Sequence, residues 1–291
     1  MPLPVELVRV ITADGLHLDG AFQLPSQDVV DPLSIDAFLL VHGTGGNFYS
    51  HGVLESFAHQ AAAAGAATLR INTRGHDGIS SISGTDRSIR GGATYEVISE
   101  CTRDLVAGME FLHQRGYGRI ALAGHSMGGV KSSYTLAHQA HPAVRCLIVI
   151  SSPRFCHARF MANPNADRFR ADWAAAQQWV AAGDPEHLMQ VAQPLPFLAT
   201  AAGFLEKYGP EDPYDLLRFL PLVPCPTLVI IGSRSPASSI AFEGLPEAVQ
   251  DLSRKYPHLQ LELVEGANTN YTGQYEVPFQ RAEAWIRKCL P

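Results

Sequence analysis

The chain has 291 residues, 46% of them hydrophobic, which suits one large α/β domain or one domain with an insertion. Its 22 lysines and arginines against 28 aspartates and glutamates give a net charge of −6, and no basic patch of the kind a nucleic-acid binder carries is evident. No apolar run reaches about 18 residues, so no membrane span is expected, and five cysteines without C-x-x-C spacing predict reduced thiols in a cytoplasmic protein, with no disulfide framework, no metal and no cofactor.

The N-terminal stretch "MPLPVELVRVITADG" alternates and then turns. It has no basic segment followed by an apolar core, so it reads as a strand and not as a signal peptide. Two strands are predicted around Asp14 and Gly15, a hairpin turn pair. "IDAFLLVHG" is a short apolar run suited to a strand buried on both faces of a parallel sheet. "GVLESFAHQAAAAG" predicts an alanine-rich helix closed by Gly65, and "AATLRINTRG" another strand. "TYEVISECTRDLVAGMEFLHQRGYG" predicts one long helix, followed by the strand "RIALAGHS", the helix "MGGVKSSYTLAHQA" and the strand "AVRCLIVISSP". Strands that alternate with helices imply a parallel sheet with right-handed crossovers.

The alternation stops at residue 154. Residues 154–223 are rich in alanine, tryptophan and proline and show no clear strand. "ADWAAAQQWVAAG" places apolar residues at helical spacing, so this segment is expected to be a helical insertion over one edge of the sheet. The sheet then resumes with "CPTLVIIGS", a helix from Leu245 to Lys255, the strand "LQLELVEG" and the helix "EVPFQRAEAWIRKCL". The expected division is a core of residues 1–153 and 224–291 and an insertion of residues 154–223.

Gly124-His125-Ser126-Met127-Gly128 lies between a predicted strand and a predicted helix. Gly-x-Ser-x-Gly in that context is a nucleophile elbow, a turn so tight that small residues must flank the serine. It leaves the hydroxyl at the carboxyl end of the sheet and at a helix start, where backbone N–H groups can meet an oxyanion. The glycine-rich "HGTGGN", His42 to Asn47, follows the third predicted strand and can bring a second N–H over the serine. The expected oxyanion hole is the N–H groups of Thr44 and Met127, each such donor worth about 10²–10³ in rate.

The chain resembles the α/β-hydrolase fold family over nearly its whole length. "VHGTGGN", "NTRGHD", "AGHSMGG", "CPTLVIIG" and "VEGAN" fall in the family's order, and "GGATYE" with "GHSMGGVK" look like a bacterial branch of small-molecule hydrolases. The resemblance implies an α/β fold with a mostly parallel eight-stranded sheet, helices on both faces, and a helical lid between the sixth and seventh core strands.

It also implies an acid after the seventh core strand and a histidine after the last. Here Ser235 stands at the acid position and Thr269 at the histidine position, and no histidine follows His258. A threonine hydroxyl cannot take a proton at neutral pH as an imidazole does, and a serine cannot stabilise an imidazolium as an aspartate does. The two departures belong together, because an acid without a histidine has no task. Other candidates for a base are His76, after the fourth strand, and His51, at the start of the first helix. His42 is read as part of the oxyanion loop, His125 as turned away by the elbow, and His157 as able to point inward from the insertion. Lys131 lies five residues after Ser126, not the three that Ser-x-x-Lys chemistry needs. Trp173 and Trp179 read as insertion core or pocket wall.

Three readings of function follow. One is a small-molecule enzyme that holds a carbonyl substrate between Ser126 and the oxyanion hole and forms an enolate without a triad. The second is an ester, thioester or lactone hydrolase with a relocated base. The third is a non-catalytic ligand-binding protein. The expected partner is a small molecule with a carbonyl, not nucleic acid or membrane, and a homodimer is compatible with the sequence.

Overall fold

The computed structural model describes residues 4–26 and 29–290. Strands β1 (Val5–Ile11) and β2 (His17–Gln23) form the expected hairpin, with Val5 opposite Gln23 and Gly15 at φ 79° in the turn. Then come β3 (Ala37–Val41), α1 (Val53–Ala63), β4 (Ala67–Ile71), a short hairpin β5 (Ser80–Ile82) and β6 (Ile89–Gly91), α2 (Cys101–Gln114), β7 (Ile120–His125), α3 (Met127–His138) and β8 (Val144–Ile150). An insertion holds α4 (His157–Ala162), α5 (Asp167–Ala181), β9 (Leu188–Val191), β10 (Phe197–Thr200), α6 (Ala201–Tyr208) and α7 (Leu216–Phe219). The chain closes with β11 (Thr227–Gly232), α8 (Leu245–Lys255), β12 (Leu259–Val264) and α9 (Val277–Cys289).

Eight strands make one sheet in the order β1-β2-β4-β3-β7-β8-β11-β12. From β4 to β12 every neighbouring pair is parallel, and β2 runs antiparallel to both β1 and β4. The central strands read as unbroken apolar runs because both faces are covered. On one face Leu39, Leu69, Leu122 and Val149 pack under α2 and α3, against Leu105, Met109 and Val130. On the other, Phe38, Leu40, Ala121 and Ile148 pack under α1 and α9, against Phe57, Phe279 and Ile286. Phe57 lies edge-on to both Phe38 and Phe279, at 5.2 and 5.0 Å, and full burial of such a ring contributes about 1.5–3 kcal/mol. Among the described residues no helix is long and apolar enough to cross a membrane.

Two expectations need correction. Residues 154–223 are not purely helical, since β9 and β10 pair antiparallel, with Val191 opposite Phe197 and Leu188 opposite Thr200. Four-residue strands around "AQPLP" are too short to show a period of two, and the prolines mask them. The long helix also starts late, at Cys101, not at Thr94. The 92–95 stretch is instead tied back to the 77–78 turn, Ala93 N–H to the Asp77 carbonyl and Thr94 N–H to the Gly78 carbonyl.

The insertion has an aromatic core of its own. Phe169 meets Phe160, Phe204 and Tyr208 at centroid distances of 5.1 to 6.2 Å, with Trp173 stacked beside it. His157 belongs to this core, 4.5 Å from the Trp173 ring, and its Nδ1 bonds to the Tyr208 carbonyl at 2.9 Å. Trp179 stacks on His187 at 3.5 Å.

Candidate active site

Ser126 sits between the end of β7 and the start of α3, at φ 55° and ψ −124°. A side chain bearing Cβ is strained there, at a cost of about 1–3 kcal/mol that the surroundings must sustain. Its N–H is held by the Ile150 carbonyl at 2.8 Å. The turn closes this tightly only because Gly128 lacks a side chain: a Cβ there would lie 2.0 Å from the Val41 carbonyl oxygen. The loop after β3 crosses directly over the serine, and a Cβ on Gly43 would lie 2.9 Å from Ser126 Cβ. Among the described residues, neither the Thr44 N–H nor the Met127 N–H has a hydrogen-bond partner.

Ser126 opens into a cavity of about 510 Å³ that Thr44 also lines. One wall is hydroxyl- and amide-bearing, from Ser238, Ser239, Thr269 and Asn270; the other is apolar, from Leu195, Pro196, Phe197, Leu198 and Phe242. Among the described residues, no histidine, carboxylate, lysine or arginine lines the cavity. The Thr44 hydroxyl oxygen is enclosed without a partner among the described residues.

Thr269 lies in this cavity, as its place after the last strand implies. Its hydroxyl meets Ser238 Oγ at 3.2 Å, and Ser238 Oγ in turn donates to the Ser235 carbonyl at 2.7 Å. Ser235 itself is fully buried, its hydroxyl has no partner among the described residues, and it does not line the cavity. The hydroxyl that reaches Thr269 is therefore Ser238, three residues beyond the position singled out in the sequence. Its only signal was membership of a serine-rich loop after β11.

The candidate bases are not brought to Ser126. His76 Nδ1 bonds to the Thr73 carbonyl at 2.9 Å, and the ring faces another cavity beside Phe48 and Asn72. His51 lies at the start of α1, 2.5 Å from Glu55. It shares a cavity of about 320 Å³ with His125 and Tyr275. His125 turns its ring away from the serine, and its Nε2 lies 2.8 Å from the Thr269 carbonyl. Burial pushes the His125 imidazole below its ordinary value, so it donates there as a neutral ring. Asn270 lines both cavities.

Behind the elbow lies a buried polar group that the sequence did not disclose. Lys131 is completely enclosed, and its Nζ lies 2.5 Å from Glu96 Oε1 and 3.0 Å from Thr73 Oγ1. Burial alone would raise the Glu96 carboxyl, but the Lys131 and Lys207 cations outweigh it and hold it at about 2. Burial would likewise lower Lys131, and Glu96 outweighs that, so the ammonium stays charged. His42 is held down at about 3, first by burial and then by the nearby Lys131 charge. It is a neutral imidazole that joins Gly43 to Thr73. Cys156, Asp212 and Asp215 gather metal-ligand atoms within 4.8 Å, but they do not suit a metal. Asp215 already pairs with Arg154 at 3.2 Å, and Asp212 accepts the His157 N–H at 2.6 Å.

A mostly parallel eight-stranded sheet, with a serine elbow at the carboxyl end of a central strand and an insertion before the last two strands, is the architecture of an α/β hydrolase. Residues 38–286 match the model of the alpha/beta hydrolase family, and the chain belongs to that family. It is similar to the structure of Est1E from Butyrivibrio proteoclasticus with ferulic acid bound, at a TM-score of 0.65 and 17% identity, covering 97% of this chain and 98% of that one. It is similar also to an esterase from Pyrococcus furiosus, at a TM-score of 0.64 and 17% identity over 99% and 92% of the two chains. A third likeness is the alpha/beta hydrolase GrgF from a Penicillium species, at a TM-score of 0.67 and 15% identity over 98% and 99%. At such identities the likeness is one of fold. No curated protein matches the chain in sequence.

Proposed function

We propose that this chain is a small-molecule enzyme that binds a carbonyl compound at Ser126 and works without a Ser-His-acid triad. One observation carries this: the elbow hydroxyl faces a cavity with two unpartnered amides, Thr44 and Met127, beside it and no imidazole or carboxylate on its walls. The amides would stabilise negative charge on the carbonyl oxygen, each worth about 10²–10³ in rate. Without a base, Ser126 keeps its proton and acts as a hydrogen-bond donor or proton shuttle, with the Ser238–Thr269 hydroxyl pair within the same cavity.

Such a site suits reactions that pass through an enolate: carbon–carbon cleavage, elimination, isomerisation or cyclisation. An oxyanion hole with bound substrate still accelerates reaction by about 10³–10⁴ over water when a triad is lost. The lining carries no formal charge, which favours a neutral substrate with an apolar body and oxygen substituents. Leu195 to Leu198, from the insertion, would close over it as a lid. The esterase from Pyrococcus furiosus, a structural relative, supports carbonyl chemistry at this fold. Five free cysteines, four of them buried, support a cytoplasmic setting.

The test is fluorophosphonate labelling of Ser126 together with p-nitrophenyl ester turnover. General-base assistance is typically worth about 10²–10⁴, so labelling and turnover should be slower than in a triad esterase by a factor of that order. Labelling at the rate of a triad esterase would overturn this reading in favour of a hydrolase with a hidden base.

A further inference from the structure

A line of hydrogen bonds runs from the buried ion pair to the loop that carries Thr44. Glu96 and Lys131 are held together at 2.5 Å with no water-exposed side-chain surface. Lys131 Nζ has only protons to give, so Thr73 Oγ1, 3.0 Å away, must accept from it. The Thr73 hydroxyl proton is then free for His42 Nε2, 3.2 Å away. The Thr73 N–H also points at His42 Nε2, at 3.0 Å. With two donors directed at Nε2, the imidazole proton lies on Nδ1, which donates to the Gly43 carbonyl at 2.8 Å.

The Gly43 carbonyl and the Thr44 N–H are the two ends of one planar peptide. A hydrogen bond accepted at the carbonyl draws density onto its oxygen and leaves the N–H a stronger donor. Every donor in the line points the same way, from Lys131 toward Thr44. Glu96 sets the first link, because it keeps Lys131 an ammonium; a neutral amine could accept the Thr73 hydroxyl proton and take that donor away from His42. A buried ion pair is weak evidence for stability, since an apolar pair of the same volume often serves as well. Its place behind this loop points to another use.

We propose that Thr73 and Lys131 are positioning residues for the oxyanion-binding peptide: through His42 they fix the plane of the Gly43–Thr44 peptide and strengthen its N–H. This rests on the reading of the Thr44 N–H as an oxyanion donor.

The experiment uses the full chain and has two readouts. In ¹H–¹⁵N spectra of the unliganded protein, the wild-type His42 ring should carry its proton on Nδ1. Thr73→Val keeps the Thr73 N–H and the side-chain volume but removes the hydroxyl, and it should move the Thr44 amide proton upfield. Thr73→Ser should restore it. The matched double variant Lys131→Met/Glu96→Gln removes both charges together and should reproduce the upfield shift. The second readout is the fluorophosphonate labelling rate at Ser126. Strengthening by a neighbouring hydrogen bond is a fraction of one bond, so a fall of about two- to fivefold is expected in Thr73→Val, with recovery in Thr73→Ser. An unmoved Thr44 amide in both folded variants overturns the chain of polarisation. A moved amide with unchanged labelling overturns Thr44 as the oxyanion donor, and the positioning role with it.

Discussion

The Nε2 atom of His125 lies 2.8 Å from the carbonyl oxygen of Thr269. The histidine next to the elbow serine thus tethers the segment in which the family resemblance expects a base. Its ring points to the far side of the loop, into the cavity shared with His51, so adjacency in sequence to Ser126 does not become contact with the serine hydroxyl.

That tether holds the 269 position in place, so a triad can be rebuilt on it. Ser235→Asp with Thr269→His should raise p-nitrophenyl acetate hydrolysis about tenfold or more over wild type, a rebuilt triad recovering at least part of the 10²–10⁴ that base assistance supplies. Ser238→Asp with Thr269→His is the informative second arm. Ser238 is exposed, whereas Ser235 is buried with an idle hydroxyl, so an aspartate at 235 would be better screened from water and orient the imidazole more firmly. A larger gain from the 238 pair would show that hydroxyl contact, and not enclosure, marks the acid position.

Strain at the elbow makes a second expectation. Ser126 has a φ of 55°, and glycine adopts positive φ without the Cβ penalty. Ser126→Gly should raise unfolding stability by about 1 kcal/mol in urea titrations while abolishing fluorophosphonate labelling. A loss of stability would mean that the serine side chain holds the turn together.

The buried pair behaves differently when halved and when replaced. Lys131→Met leaves Glu96 enclosed without its ion-pair partner, with only the Cys101 thiol bonded to it and the Lys207 charge nearby, and should cost about 3–5 kcal/mol. Lys131→Met/Glu96→Gln should cost less, because the enclosed carboxylate goes together with its ammonium and only Lys207, lying beside Glu96, loses a nearby opposite charge. Chemical denaturation of both variants decides it, and equal losses would mean that packing volume, not charge, is what the site needs.

Acid stability follows from His42 and Glu96. His42 falls from 6.5 to about 3 on folding, so the unfolded chain binds the proton first and stability drops as pH falls below 6.5. His125 is lowered too, with the same sign. Glu96 falls from 4.5 to about 2, so its contribution is complete above 4.5 and is lost as pH descends toward 2. Stability measured by denaturation should therefore slope downward from pH 6.5 to 4.5, and His42→Gln should flatten that interval. An unchanged slope in His42→Gln would assign it to other groups.

The architecture was legible where local signals agree. Helix α8, Leu245–Lys255, lies where a helix was expected, and the run "TLVIIG" is a fully buried strand. The places of Ser126 and Thr44, at the turn after β7 and in the loop that crosses it, were legible because a tight turn and a glycine loop each need particular residues at fixed spacing. The pair β9 and β10 was not, because four residues carry too little periodicity. Nor was the Glu96–Lys131 pair, which joins residues far apart in sequence, so that a lysine on α3 reads as surface until the partner is seen. Ser238 escaped for the same reason: its meaning lies in Thr269, which belongs to another loop.

The turn between β9 and β10 contributes Leu195 and Pro196 to the cavity, and Phe197 and Leu198 follow at the start of β10. None of these residues belongs to the central sheet or to the elbow. A rewritten turn changes what the cavity can hold while the serine and its two amides pass unaltered from parent to descendant. On the function proposed for Ser126, selection can act on substrate fit and on reactivity separately in this chain, because the hairpin and the elbow are different segments.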